Sequence, residues 1–196
     1  TPDTDKPMGK IRVTTEDSFC AARQMANPLV MNFANAHHAG GGFLLGAKAQ
    51  EEALCRCSTL YASLTADAAK EMYRYNNTHL SAVESDYMLL SPHVCIFRDA
   101  DCKLLQEPAN AAVITLPAPN RRGAAVLASQ ELIEETMLRR IRIMLCIAAK
   151  HAYPDLVLGA WGCGAFGNKP EQVAGYFRKI LIDEQYGKSF ANVRFA

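Results

Sequence analysis

Three consecutive glycines, Gly40, Gly41 and Gly42, stand shortly before two adjacent acids, Glu51 and Glu52, in a run of strong helix formers. An apolar run from Pro28 to Phe33 precedes them and stops at Asn35. A strand, a loop without side chains to obstruct a ligand and a carboxyl pair in the next helix make a candidate reaction site. Neighbours on a helix diverge by about 100°, so the two acids cannot fill one role. A helix N-terminus favours an ionised carboxylate, whereas burial and a second negative charge favour a proton. One charged and one protonated acid near neutrality is the division of labour that glycosidic bond cleavage requires. The competing reading is the commoner one for such a sequence: Gln50, Glu51 and Glu52 as an exposed helix face.

A second glycine-rich junction, Gly162-Cys163-Gly164-Ala165-Phe166-Gly167, follows the apolar run Leu156 to Trp161. Its glycines let the main chain approach a ligand closely, and a helix start after it offers unpaired N–H groups to a phosphate or diphosphate. The loop fits neither a Walker loop nor a dinucleotide fingerprint, and composition leaves a structural turn equally open. Phe166 favours a ligand, because an aromatic ring among glycines needs something to pack on, such as a sugar or base face. Cys163 could be activated near a helix start, but no histidine is placed to serve it. Adjacent His37 and His38 read as solvent-exposed loop residues. No histidine or acid spacing suggests a metal site, and Cys55-Arg56-Cys57 lacks the spacing of a zinc knuckle.

The elements that must position these residues alternate. Lys10 to Thr14 reads as a strand, Ser18 to Ala26 as a helix capped by Asp17 or Thr15, and Leu29 to Phe33 as a strand covered on both faces. Ala47 to Ser63 reads as one helix and Ala66 to Tyr75 as another. Tyr87 to Leu90 and Val94 to Phe97 read as two strands parted by Ser91-Pro92, Asp99 to Pro108 as turn and loop, and Ala111 to Leu116 as a buried strand. The longest helix runs from Gln130 to Ala152 with Ser129 as N-cap, and its Arg139, Arg140 and Arg142 read as a solvated face. A helix from Pro170 to about Glu184, capped by Asn168, and a strand at Asn192 to Phe195 complete the chain. This pattern predicts an α/β fold: a three-layer α/β/α domain over residues 10–196 with a mixed central sheet, after a loose lead-in at 1–9. In such sheets ligands bind at the carboxyl ends of strands, where both glycine junctions lie.

At 196 residues and 49% apolar composition the chain can bury one sizeable core. A net charge of +1 argues against electrostatic capture of nucleic acid by the domain as a whole, and no apolar run is long enough to span a membrane. The seven cysteines are odd in number and irregularly spaced. They fit reduced thiols of a cytoplasmic or nuclear protein, with Cys20, Cys95 and Cys146 expected inside.

The residues also carry a family resemblance. Gly40-Gly41-Gly42, seven further residues and Gln50-Glu51-Glu52 resemble the signature of poly(ADP-ribose) glycohydrolases. Leu158 to Asn168 resembles that family's diphosphate loop. Asn32-Phe33-Ala34-Asn35, Cys55 to Tyr61, Tyr87-Met88 with Ser91-Pro92, and Thr115 to Asn120 match as well, so the resemblance runs from about residue 10 to the end. The length is similar to the bacterial-type, or microbial, branch. The resemblance implies a macrodomain fold that binds ADP-ribose and hydrolyses ribose–ribose bonds in poly(ADP-ribose), mainly from the chain end. It thereby implies reversal of ADP-ribosylation, as in the DNA damage response. Glu52 would be the general acid and Glu51 would hold the ribose hydroxyls, with Asn35 on the same ribose. Gly40, Gly41, Gly42 and Gln50 would line the approach. Gly162, Cys163, Gly164, Ala165 and Gly167 would wrap the diphosphate, and Phe166 would pack on the distal ribose. No cofactor and no metal is implied. The expected partners are poly(ADP-ribose) or ADP-ribosylated proteins, with ADP-ribose as product, for a monomer that binds neither membrane nor nucleic acid. Two other functions share this cleft: removal of single ADP-ribose units from protein or nucleic acid, and recognition without cleavage. The departures are His37-His38 and the apolar Leu44-Leu45, either of which could alter what sits on the acceptor side.

Overall fold

The computed structural model describes residues 6–196, so the first five residues of the expected lead-in lie outside the described residues. In chain order the elements are β1 (Lys10–Val13), α1 (Ser18–Ala22), β2 (Pro28–Ala34), α2 (Gln50–Cys57), α3 (Leu60–Leu64), α4 (Lys70–Thr78), β3 (Leu89–Arg98) and β4 (Leu104–Pro117). They continue as α5 (Gln130–Lys150), β5 (Asp155–Leu158), α6 (Pro170–Arg178) and β6 (Asn192–Phe195). One six-stranded sheet has the order β1-β6-β5-β2-β4-β3. All neighbours are parallel except β3 and β4, which are antiparallel. The fold is the expected mixed α/β sheet between helical layers.

The layers follow from strand alternation. Leu29 and Met31 of β2, Ile114 and Leu116 of β4 and Leu156 and Leu158 of β5 pack with α5 and α6. The intervening Val30, Val113 and Val157 pack with α1, α2 and α3 on the other face. Strands buried on both sides are apolar on both faces, which is why β2, the end of β4 and β5 read as nearly continuous apolar runs, interrupted by the buried Asn32 and Thr115. Each such large side chain contributes roughly 1.5–3 kcal/mol.

Several boundaries differ from the sequence expectation. Asp17 does cap α1, its Oδ1 accepting from the N–H groups of Phe19 and Cys20 at 2.9 and 3.0 Å. That helix stops at Ala22 rather than Ala26. The single helix expected over 47–63 is two. It breaks at Ser58 and Thr59 because β3 is an edge strand whose backbone needs partners: Thr59 N–H donates to Cys95 O at 3.0 Å and Cys95 N–H to Thr59 Oγ1 at 3.0 Å. The two strands expected around Ser91-Pro92 are one continuous strand with a register shift between Ser91 and Val94. Proline is tolerated there because an edge position does not require its missing N–H. The expected loop at Asp99 to Pro108 is a turn only as far as Lys103. From Leu104 the chain already pairs with β3 in a hairpin. The buried cysteines are Cys55 and Cys57, while Cys20 and Cys95 are half-exposed and Cys146 is exposed.

The arginines of α5 are the largest correction. Ser129 caps that helix as expected, accepting from Leu132 N–H at 3.1 Å, but Arg140 is fully buried rather than solvated. It donates to Asp86 Oδ1 at 2.9 Å, to Pro117 O at 2.9 Å and to Val83 O. One guanidinium thus clamps the end of β4 to the segment leading into β3, a network that helical charge spacing cannot reveal. Among the described residues no helix is long and apolar enough to cross a membrane.

Removing Arg140 leaves the carbonyls of Pro117 and Val83 buried without that donor and Asp86 with Arg139 alone. Arg140→Ala is expected to cost about 3–5 kcal/mol in urea unfolding. Arg139→Ala, whose side chain is 46% exposed on the same Asp86, is expected to cost less than about 1 kcal/mol. Equal costs would show that the clamp does not depend on burial.

Candidate active site

Both glycine junctions are brought together by one strand pairing. β2 and β5 are direct parallel neighbours, with Leu29 opposite Leu156 and Val30 opposite Val157. Parallel neighbours end at the same edge of the sheet, so the loops leaving Ala34 and Leu158 flank one cleft. A cavity of about 410 Å³ opens there, lined by Phe33, Asn35, Ala49, Gln50, Glu51, Glu52, Ala118, Ala160, Trp161, Gly162, Gly164, Ala165 and Phe166.

Glu51 and Glu52 open α2 and are 3% and 7% exposed, which excludes the exposed-face reading. Their bonding differs. Glu51 Oε2 accepts from Asn35 N–H at 2.8 Å and Oε1 from Asn32 Nδ2 at 3.2 Å, so both oxygens are held by the protein. Burial pushes its carboxyl up to about 7 against the pull of these two donors, and the neighbouring Glu52 charge adds to the rise. Glu52 Oε1 accepts from Gly42 N–H at 2.9 Å, while its Oε2 is buried with no partner among the described residues. A buried carboxyl oxygen without a partner in the protein is an atom available to a ligand. The asymmetry separates an acid held at both oxygens from one with an unpartnered oxygen.

The first glycine loop exists to make these bonds. Gly41 has φ 57°, a left-handed conformation that favours glycine. A Cβ there would stand 2.5 Å from Glu52 Oε1 and 3.1 Å from Glu51 Oε2. At the second loop Gly162 has φ 73°, and a Cβ would meet Ala118 Cβ at 2.6 Å. Asn168 closes that loop instead of capping α6: its Nδ2 donates to Pro119 O at 2.9 Å and Gly162 O at 3.1 Å. Lys169 takes the cap position, without a side-chain bond, and Pro170 occupies the first turn of α6.

The remaining expected site residues divide. Asn35, Glu51, Glu52, Gly162, Gly164, Ala165 and Phe166 line the cavity together. Asn35 Oδ1 is occupied by the N–H groups of His37 and His38 at 2.8 and 3.0 Å, which leaves its Nδ2 for a ligand. Gln50 also lines the cavity, but its amide serves the protein. Oε1 accepts from Phe33 N–H at 2.9 Å and Nε2 donates to Met31 O at 2.8 Å. Gly40, Gly41, Gly42, Cys163 and Gly167 are not among the residues that line the cavity. Burial raises the Cys163 thiol, which keeps it protonated. His37 is tied to Asn77 Oδ1 at 3.1 Å through Nδ1 and lies 3.7 Å from Glu84.

Sequence reading passed over Asn32 as a functional residue. It is wholly buried in β2 and bridges Glu51 to Thr115 Oγ1, 3.1 Å away on β4. A lone amide within an apolar strand is the signal that marks it. Tyr73 carries no such signal; its hydroxyl is buried with no partner among the described residues, and burial first and then the Glu51 charge raise it above the usual range. Among the described residues no group of three or more His, Cys, Asp or Glu side chains is arranged to hold a metal ion.

A nucleotide-sized cleft at the strand ends of a three-layer α/β/α sheet, with a buried acid pair inside it, defines a glycosidase-type site on a macrodomain-like fold. The family model for the microbial-type PARG catalytic domain, PARG being poly(ADP-ribose) glycohydrolase, matches residues 1–99. A poly(ADP-ribose) glycohydrolase from Thermomonospora curvata bound to the inhibitor ADP-HPD is 43% identical, covering 96% of this chain and 72% of its own, with a TM-score of 0.91. The same organism's enzyme in a second structure is 42% identical, covering 100% of this chain and 73% of its own, with a TM-score of 0.93. The Deinococcus radiodurans enzyme in complex with ADP-ribose is 42% identical, covering 96% of this chain and 77% of its own, with a TM-score of 0.89. No curated protein matches the chain significantly. The chain belongs to the microbial-type poly(ADP-ribose) glycohydrolase family.

Two outcomes test the geometry. Gly41→Ala forces Glu52 aside and is expected to lose on the order of 100-fold in turnover, with unfolding still cooperative; near-normal turnover would show that Oε1 need not sit where it does. The raised Glu51 carboxyl also fixes a pH trend. Below its ordinary value of 4.5 both folded and unfolded chains carry the proton. As pH climbs toward about 7 the unfolded chain has lost it and the folded one keeps it, so stability falls, by at most about 3 kcal/mol, and then levels off. Glu51→Gln is expected to flatten that slope in urea unfolding across the same range, and an unaltered slope would assign the titration to another group.

Proposed function

We propose that this chain hydrolyses the ribose–ribose O-glycosidic bond of poly(ADP-ribose), mainly from the polymer end, and releases ADP-ribose. The observation that carries the roles is the unequal bonding of the two buried acids. Glu52, with its free Oε2, donates a proton to the 2′-oxygen of the adjoining unit as the bond from C1″ of the terminal ribose breaks. The ribose passes through an oxocarbenium-like state. The Glu52 carboxylate then takes a proton from a water whose oxygen attacks C1″, which restores the acid and completes hydrolysis.

Glu51 holds the hydroxyls of that ribose and is itself kept in place by Asn35 N–H and Asn32. Asn35 Nδ2 reaches the same sugar, and Phe166 packs on it from the opposite loop. The backbone of Gly162 to Gly167 takes the diphosphate without needing a lysine or arginine. Gln50 works as a positioning residue, joining α2 to β2. A second cavity of about 490 Å³ supports the assignment of the other end of the ligand. It shares Ala160 with the first and continues along the strand ends past Val13, Thr14, Phe177 and Phe195, an apolar site suited to an adenine ring.

The test is incubation of the protein and of Glu52→Gln with polymer-modified and singly modified substrates. Glu52→Gln keeps an acceptor for Gly42 N–H, so ADP-ribose affinity is expected to be retained while turnover falls at least about 100-fold. ADP-ribose binding with intact polymer after long incubation would leave a reader. Release from singly modified substrates alone would move the activity to single-unit removal, and full activity of Glu52→Gln would refute the role of that acid.

A further inference from the structure

Leu44 and Leu45 stand side by side in the first glycine loop, 76% and 91% exposed. They belong to a built turn. A single 3-10 turn over Phe43–Leu45 opens at Gly42 and closes on Gly46 at φ 79°. Leu45 N–H donates to Gly42 O at 2.9 Å, and Ala47 N–H to the same oxygen at 3.1 Å. The Phe43 ring is turned in against Tyr61, with ring centroids 4.7 Å apart, and Arg56 Nη1 fixes Ala47 O at 2.6 Å. Tied down on both sides, the turn holds two neighbouring leucines in water, an arrangement that costs free energy unless something covers them.

Its place identifies the cover. Gly42 N–H is the donor to Glu52 Oε1, so the leucines begin two residues from the contact that orients the free oxygen. In the reading proposed above, that oxygen meets the bond to be broken. If the substrate is the one proposed above, the sugar that leaves carries an adenine on its own C1′, one ribose away from the cleaved bond. An uncharged aromatic face therefore emerges beside an uncharged apolar turn. We propose that Leu44 and Leu45 form a leaving-side subsite, a shelf for the adenine of the unit adjoining the terminal one. The shelf rests on the hydrolase reading and adds to it a reason to prefer polymer over single-unit substrates, since a modified amino-acid side chain brings no base to that position.

The experiment compares two substrates that differ only on the leaving side: an ADP-ribose dimer, and the same terminal unit joined to a ribose without a base. For Leu44→Ser with Leu45→Ser, kcat/KM on the dimer is expected to fall about tenfold, as for loss of apolar contact on one face of a base. Hydrolysis of the baseless substrate and affinity for ADP-ribose should stay as in the unaltered protein. Leu45→Trp is expected to raise kcat/KM on the dimer alone, which keeps the test meaningful should the double variant fold poorly. An unchanged dimer preference, an equal loss on both substrates, or a concentration-dependent dimer of the protein that the serines dissolve would each overturn the shelf. If the unaltered protein cleaves neither substrate while binding ADP-ribose, it is the hydrolase reading that fails, and the shelf with it.

Discussion

Two adjacent carboxyls buried at the start of one helix are the constraint to which the surrounding structure answers. Unpaired, such a burial would cost several kcal/mol, so donors must be brought to them from outside α2. The chain does this by folding the segment after β2 back over the helix start. Asn35 N–H reaches Glu51 and Gly42 N–H reaches Glu52. The loop therefore consists of residues that let backbone, rather than side chains, stand next to acid. Gly41 is the clearest case, since any Cβ there would occupy the space of the Glu52 oxygen.

That loop is secured from behind by a polar strap. Asn76 Nδ2 donates to Ala36 O at 3.1 Å and Asn77 Nδ2 to His37 O at 3.0 Å, tying the loop to the end of α4. Asn76 Oδ1 accepts from Ser85 N–H at 3.0 Å. Ser85 adjoins Asp86, and Asp86 is held by the buried Arg140. A chain of charge and amide contacts thus runs from the centre of α5 to the rim of the cleft. Position at the acid pair depends on residues that touch no ligand, in keeping with the need to hold reacting groups to a fraction of an ångström.

On the opposite side, the second glycine loop is held by backbone contacts from one asparagine and by close packing on Ala118. The two walls differ in kind: acids and amides face a smooth glycine and aromatic surface. A sugar can be gripped by its hydroxyls on one side and packed against on the other. The second, apolar cavity beyond Ala160 extends the same edge of the sheet, so one row of strand ends carries a polar cavity and an apolar one side by side.

Apolar runs at Leu29 to Phe33, Ala111 to Leu116 and Leu156 to Trp161 were legible as buried strands because burial on both faces removes alternation, although the last ends at Leu158. Helix α5 and the caps at Asp17 and Ser129 were legible because helix formation and capping are decided by neighbours in the chain. The family signature likewise lies within short segments, and it drew attention to Glu51, Glu52, Asn35 and Phe166. What depended on distant partners was not legible. The break at Ser58 serves an edge strand nearly forty residues away. Arg140 looks like surface charge until three segments close around it, and Asn32 acquires its role only when β4 brings Thr115 alongside. Most of all, local sequence cannot say whether two adjacent glutamates face water or the core, because helical spacing is the same in both cases. The packing of α2 beneath the loop after β2 decided that, and with it which of the two acids keeps a free oxygen.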